Sequence, residues 1–276
     1  MSAHDPAFAT EDEARAALIA ACLALAARGV NQGKAGNASL RWDRGLRPGL
    51  LVTPSALPYD RMKTDDIVWL SLALAPGGGD DETDSGAASR AGAPADDAQP
   101  AVIDAEGRRP SSEWRIHRDL LAAQPAAAAV VHAHPPHATA LACLPAVQAA
   151  GIPAFHYMVA AAGGADIRCA AYATFGSPAL SQAVLAALDE RRACLMAHHG
   201  IVAWGTSLEA AVALAEEVET LARMYHLARQ LGEPAVLPAD EMARVLAKFV
   251  HYRPDAGARP DADDRPGAGA RSTRAR

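Results

Sequence analysis

The four cysteines, Cys22, Cys143, Cys169 and Cys194, are scattered, and no two stand at C-x-x-C spacing. That excludes a zinc ribbon and a dithiol redox motif, and their apolar contexts predict four small core residues. No apolar run reaches the ~20 residues of a membrane span. The opening MSAHDPAFATEDEA lacks the charged start and apolar centre of a secretory leader, so a cytoplasmic location is expected. Neither the P-loop pattern nor the dinucleotide fingerprint occurs, and nucleotide binding is not indicated. Positive charge is not in excess: the net charge is -6 and the pI about 5.9. That balance argues against a nucleic-acid or membrane-surface role, while leaving room for a small phosphorylated substrate in a local pocket.

What is present is an ordinary globular composition over 276 residues, 50% hydrophobic and 21% charged, which fits one large domain. Two stretches have nothing to bury. Residues 76–100 are Gly, Ala, Ser, Pro and Asp with few exceptions, and residues 253–276 have the same character. A single folded domain over residues 1–252 is expected, with 76–100 as a disordered insert and 253–276 as a disordered tail. DIVWLSLAL precedes the insert and AVID follows it, so the insert reads as a long hairpin tip.

Thr10 and Glu13 form a T-x-x-E capping box. It opens a helix with an apolar face of Ala14, Ala17, Leu18, Ala21, Cys22 and Leu25, ending at Gly29. GLLVTPSA and DIVWLSLAL read as strands. A helix is expected from SSEWRIHRDLLAA, capped by Ser111 or Ser112 with Glu113 in its first turn. AAAAVVHAH reads as a buried strand stopped by Pro135 and Pro136. Short strands follow at IPAFH and IRCAAYA, then a helix from Ser177 to Arg191. ACLMAHHGIVAWG is a strand pair or a strand bent at Gly200. A Thr206/Glu209 capping box predicts a helix to about Gln230, and a last helix covers about Ala239 to Phe249. The expectation is an α/β layered domain, α-β-α, around a largely antiparallel sheet.

Chemistry concentrates where AVVHAHPPHAT ends its apolar run in His132, His134 and His137. On a strand, residues two apart share a face, so His132 and His134 project together as a metal-ligand pair would. A catalytic zinc takes three protein ligands and keeps a position open. The best source of the third imidazole is MAHHGIVAWG. There one of His198 and His199 reaches the metal, because adjacent residues alternate faces, and Gly200 lets the chain turn away. Glu113, after two serines at a helix start, is a candidate base in what is also an anion-binding position. KAGNAS and TPSA are two further loops rich in hydroxyl and amide groups, and together the three could line a phosphate pocket.

NQGKAGNASLR, TPSALPYDRM, PSSEWRIH, VVHAHPPHATAL, IPAFHYMVAAAGG, AAYATFG and HHGIVAWG occur in the order and approximate spacing of the class II aldolase/adducin family. The resemblance covers about Ala14 to Tyr252 without the insert, and is nearest to the L-fuculose 1-phosphate aldolases. It implies the family's α-β-α fold and a zinc ion, one per subunit, on His132, His134 and His199, with His137 a bystander. It implies Glu113 as acid/base, and Gly36, Asn37, Ser55, Ala56, Ser111 and Ser112 as substrate-phosphate positions. Tyr157 matches a tyrosine that reaches a neighbouring subunit's site and donates a proton, and Tyr252 one that helps close the site. A homotetramer acting on a small phosphorylated sugar is the family expectation.

The implied reaction cleaves a ketose 1-phosphate, L-fuculose 1-phosphate or similar, to dihydroxyacetone phosphate and an aldehyde. A metal stabilises the charge that develops on the dihydroxyacetone half, so no Schiff-base lysine is required. Lys34, Lys63 and Lys248 are the only lysines, and Lys34 is placed to aid anion binding. A 5-deoxypentulose 1-phosphate is the alternative substrate; other lyases, epimerases and decarboxylases of the family come next. An adducin-like interaction protein is disfavoured by the complete His/His/His/Glu set. The chain departs from the fuculose aldolases at Ser55-Ala56, where they commonly carry Thr-Gly. Alanine there puts a Cβ where the backbone is expected to need φ > 0.

Overall fold

The computed structural model describes residues 8–31, 35–73, 103–104 and 108–251. Lys34, the 76–100 insert, Tyr252 and the tail after it lie outside them. Seven helices and ten strands are named here in chain order. α1 (Glu11–Ala27) begins at the expected capping box: Thr10 Oγ accepts from Glu13 N–H at 3.2 Å, and Glu13 Oε2 accepts from Thr10 N–H at 3.1 Å. β1 (Asn37–Arg41), β2 (Gly49–Val52) and β3 (Val68–Ser71) follow. β3 pairs with β4 (Ile103–Asp104), Trp69 against Asp104, so the two strands expected to flank a hairpin do pair.

α2 (Trp114–Ala123), β5 (Ala129–Ala133), α3 (Pro136–Ala142), α4 (Pro145–Ala150), β6 (Ile152–Pro153), β7 (Asp166–Ile167) and β8 (Cys169–Ala170) make the middle of the chain. α5 (Pro178–Ala187), β9 (Ala193–Met196), β10 (Gly200–Gly205), α6 (Leu208–Leu231) and α7 (Ala239–His251) complete it. The main sheet runs β4-β3-β2-β1-β5-β10-β9-β8. Every neighbouring pair is antiparallel except β8 with β9, so the sheet is mixed and mostly antiparallel.

Alternation along each strand sorts side chains between two layers. Leu40, Leu51, Val131, Leu195 and Ile201 face α1 and α6, where Leu18, Leu214 and Val218 meet them. Leu50, Val52, Val130, Cys194 and Val202 face α2 and α5, against Ile116, Leu120, Leu180 and Val184. The result is the expected α-β-α sandwich.

Several local expectations are corrected. Pro135 and Pro136 end β5, but Pro136 is also the first residue of α3, where its missing N–H costs nothing; α3 and α4 went unread. Thr206 does not cap α6. Ser207 does, its Oγ accepting from Ala210 N–H at 3.2 Å. Neither Ser111 nor Ser112 caps α2; Glu113 itself holds that position. α5 stops at Ala187 rather than Arg191. IPAFH and IRCAAYA supply two-residue strands only, β6 and β7 forming their own small pair. ACLMAHHGIVAWG resolves as the strand pair β9–β10. Of the cysteines, Cys22 and Cys194 are buried, but Cys143 is exposed.

Candidate active site

The start of β1, the end of β5, the start of β10 and the start of α2 meet at one end of the central strands. Register makes this happen: Asn37 pairs across with His132, and Ala133 with Ile201. His132, His134, His199 and Glu113 each offer a ligand atom here, all within 4.8 Å of one another. The three rings stand edge to face, with centroids 4.7 to 4.9 Å apart. His137 turns away, its Nδ1 2.7 Å from Glu219 Oε1.

Choosing between His198 and His199 falls to backbone geometry. His198 takes a left-handed φ of 55°, which is costly for a residue with a Cβ. Its ring then lies beside Gln148 and Tyr172, while His199 Nε2 comes 3.0 Å from Glu113 Oε1. Gly200 plays a different part from the one expected. It does not take the positive φ; it lets the chain pass close, for a Cβ there would sit 2.3 Å from Ala133 O and 2.9 Å from His134 Cδ2.

The donor set suits a divalent cation. His132 Nδ1–H donates to Ile201 O at 2.9 Å, which fixes the tautomer and leaves the Nε2 lone pair facing inward. That nitrogen is 2.8 Å from His134 Nε2 and 2.9 Å from Glu113 Oε2. A lone pair, a second imidazole and a carboxylate so close together call for positive charge among them. Glu113 Oε1 is buried and makes no hydrogen bond, despite the nearby His199 ring. Burial would raise the Glu113 carboxyl, but His132 and then His199 outweigh it and hold it well below the usual carboxylate range. Burial likewise drives the His132 ring toward neutrality, and Glu113 outweighs that, leaving it raised. His134 is pushed down to about 4 by burial and by the neighbouring His132 and His199. Three imidazoles, one of them oriented by the Ile201 carbonyl, and one carboxylate fit a metal ion.

A cavity of about 380 Å³ opens beside this cluster. All six residues expected at the phosphate line it: Gly36, Asn37, Ser55, Ala56, Ser111 and Ser112. Ser55 N–H and Ser111 N–H already donate to Arg109 O and Thr53 O, both at 3.0 Å, which leaves the hydroxyls as these residues' remaining donors; Ser111 Oγ also accepts from Glu113 N–H at 3.3 Å. Gly36 has φ 84°, and a Cβ there would come 2.6 Å from Asn31 Oδ1. Ala56 has φ 59°, the left-handed conformation foreseen for a Gly position. Tyr157, at the head of a 3-10 segment (Tyr157–Ala162), is 51% exposed and does not line this cavity. Tyr252 lies outside the described residues.

Tyr172 and Phe175 also line the cavity. They sit in the AAYATFG block, but no role had been read for either. The buttress behind the site was missed too. Asn31 Oδ1 accepts from His134 N–H at 3.1 Å, and the Tyr59 hydroxyl donates to the carbonyls of Ala35 and Gly36, 2.6 and 2.8 Å away. Polar residues buried singly in a helix end and a loop give no pattern in sequence.

The Class II Aldolase and Adducin N-terminal domain matches residues 16–226. A 5-methylthioribulose-1-phosphate/5-deoxyribulose-1-phosphate aldolase of Rhodospirillum rubrum is 46% identical over 243 residues, covering 86% of this chain and 91% of that one. An L-fuculose phosphate aldolase of Escherichia coli is 40% identical over 236 residues, covering 85% and 93%. A solved L-fuculose 1-phosphate aldolase superposes with a TM-score of 0.70 at 33% identity, covering 86% of this chain and 96% of that one. The chain belongs to the class II aldolase and adducin family. It is a metal-dependent aldolase of the class II type, an aldehyde-lyase. The resemblance to the fuculose aldolases holds, but the Rhodospirillum relative is the more similar of the two. Among the described residues no helix is long and apolar enough to cross a membrane.

Proposed function

We propose that the chain cleaves a 5-deoxypentulose 1-phosphate, or its 5-methylthio analogue, to dihydroxyacetone phosphate and acetaldehyde, or (methylthio)acetaldehyde from the analogue. The 46% identity to the Rhodospirillum enzyme, over 86% of this chain, carries the choice of substrate. L-Fuculose 1-phosphate is the second reading, supported by the 40% identity to the Escherichia coli enzyme. Both substrates present the same dihydroxyacetone phosphate half and differ only in the aldehyde.

His132, His134 and His199 are assigned as ligands of one zinc ion per subunit, a metal that suits imidazole-rich sites with an open position. Bound there, it would supply Lewis-acid stabilisation of the charge that develops on the dihydroxyacetone half. The phosphate sits on the hydroxyls of Ser55, Ser111 and Ser112, with the turns at Gly36 and Ala56 bringing the backbone close. Asn37 positions the substrate from the cavity wall. Cleavage requires the C4 hydroxyl to lose a proton as the C3–C4 bond breaks, its electrons passing to the dihydroxyacetone half. Tyr157 relays that proton to solvent, and Glu113, a carboxylate at rest, takes one up from solvent and delivers it to C3, so the products balance. Tyr157 is assigned to the site of a neighbouring copy, in a homotetramer. Its exposure, and its place outside this chain's own cavity, support that assignment. Tyr252 is assigned to closing the site.

The test is dihydroxyacetone phosphate release from 5-deoxyribulose 1-phosphate, 5-methylthioribulose 1-phosphate and L-fuculose 1-phosphate, before and after chelation and zinc return. Higher kcat/KM on either pentulose phosphate supports the first reading. Preference for the hexulose phosphate replaces it with the second. Release that survives complete demetallation would overturn the metal assignment.

A further inference from the structure

Behind Glu113 lies a line of buried polar groups, of which the reaction as described uses only Asn37. Asn37 Nδ2–H donates to Glu113 Oε2 at 3.2 Å. On its other side Asn37 Oδ1 contacts His117 Nε2, and His117 Nδ1 is 2.7 Å from Ser39 Oγ. Asn37 and Ser39 are two apart on β1 and so share a face; His117 stands one helical turn beyond Glu113 on α2. Ser39 and His117 are fully enclosed. We propose that His117 is a positioning residue, whose Nε2–H holds the Asn37 amide with its NH₂ toward the catalytic carboxylate.

The order of protons along this line follows from its end. A carboxylate oxygen accepts, and Asn37 presents Nδ2–H to Glu113 Oε2. That leaves Asn37 Oδ1, an acceptor, facing His117, which therefore carries its proton on Nε2. A neutral His117 then accepts at Nδ1 from the Ser39 hydroxyl. Burial, with His132 next, pushes His117 down to about 3, so the ring is neutral across the working range. Every contact is satisfied in this direction. In the reverse direction Asn37 Oδ1 would oppose a carboxylate oxygen, two acceptors face to face. Nothing intrinsic to an amide prefers one flip over the other; the imidazole decides it. Because Asn37 also lines the substrate cavity, a flipped or swung amide would disturb both the carboxylate and a wall of the pocket.

This inference rests on Glu113 being the acid/base, and the experiment separates the two. His117→Phe keeps a ring without a donor; His117→Gln keeps an N–H near the Nε2 position. With 5-deoxyribulose 1-phosphate and L-fuculose 1-phosphate as probes, kcat of the Phe variant should fall on the order of 10- to 100-fold, with metal content unchanged. The Gln variant should return to within about threefold of wild type. In an Asn37→Ala background, His117→Phe should cost less than about threefold more, because the two act as one unit. A neutron structure of the wild-type protein should show deuterium on His117 Nε2 and none on Nδ1. Equal losses in the Phe and Gln variants, fully additive losses with Asn37→Ala, or deuterium on Nδ1 would overturn the inference. Should Glu113→Gln turn over at the wild-type rate, the base assignment fails on its own, and the deuterium position still decides what orients Asn37.

Discussion

Asn37 and His132 are direct partners across β1 and β5, and both side chains end on the same oxygen, Oε2 of Glu113. One cross-strand pair thus fixes an amide donor and an imidazole lone pair around a carboxylate delivered by a helix from the layer above. The antiparallel register is what sets the site's geometry, and a one-residue slip of either strand would send its side chain into the opposite layer.

Ala56 occupies a left-handed conformation, φ 59°, at a place where a Cβ is a cost. Ala56→Gly should stabilise the protein by about 1 kcal/mol, since the relieved strain exceeds the entropy gained by the unfolded chain. Urea unfolding midpoints measure this. A midpoint at or below wild type would mean that surrounding contacts favour the alanine.

Gly200 lies against Ala133 O, with the Cβ of a substituted alanine 2.3 Å away. Gly200→Ala should cost about 3 kcal/mol by forcing β5 and β10 apart, and should lower metal content because His134 and His199 flank the contact. Thermal unfolding and metal analysis report the two effects. Unchanged values for both would show that the strands yield freely here.

If Tyr157 serves a neighbouring copy's site, then Tyr157→Phe and Glu113→Gln, each nearly inactive alone, should complement when co-assembled. Random mixing places an intact pair at about one site in four, so about a quarter of wild-type activity should return. No recovery in verified mixed oligomers would put Tyr157 outside the shared site.

His117 links acid to stability. Its ring is neutral in the fold, at about 3, against 6.5 in the unfolded chain. Between those values the unfolded state binds a proton that the folded state refuses, so stability rises with pH there. The contribution is complete above 6.5 and is lost as pH falls through that window. In chelated protein, wild type should lose about 2 kcal/mol more than His117→Phe between pH 7 and pH 5. Parallel losses in the two proteins would show that the buried ring takes up its proton without penalty.

Much of this architecture was legible from side-chain pattern alone. The capping box at Thr10, the shared strand face of His132 and His134 and the three small-residue loops that line the cavity are written in residue identity and spacing. What escaped had competing signals or none. Pro136 reads as a breaker, yet its fixed φ also starts a helix. Thr206 and Ser207 are adjacent and equally able to cap, and only the chain's direction into α6 selects the serine. Asn31, Tyr59 and His117 matter through partners 23 to 103 residues away, which no local window contains.

The pairing of β3 with β4 has a practical reach of its own. β4 is the edge of the main sheet, four strands from β5, or roughly 19 Å at ordinary strand spacing. Closing a longer connection between paired strands adds only about 0.6 kcal/mol for each doubling of its length. The β3–β4 pairing therefore anchors both ends of a long stretch of sequence at the sheet's far edge, so a change of length between them is felt first at that edge and last at the strand that carries His132.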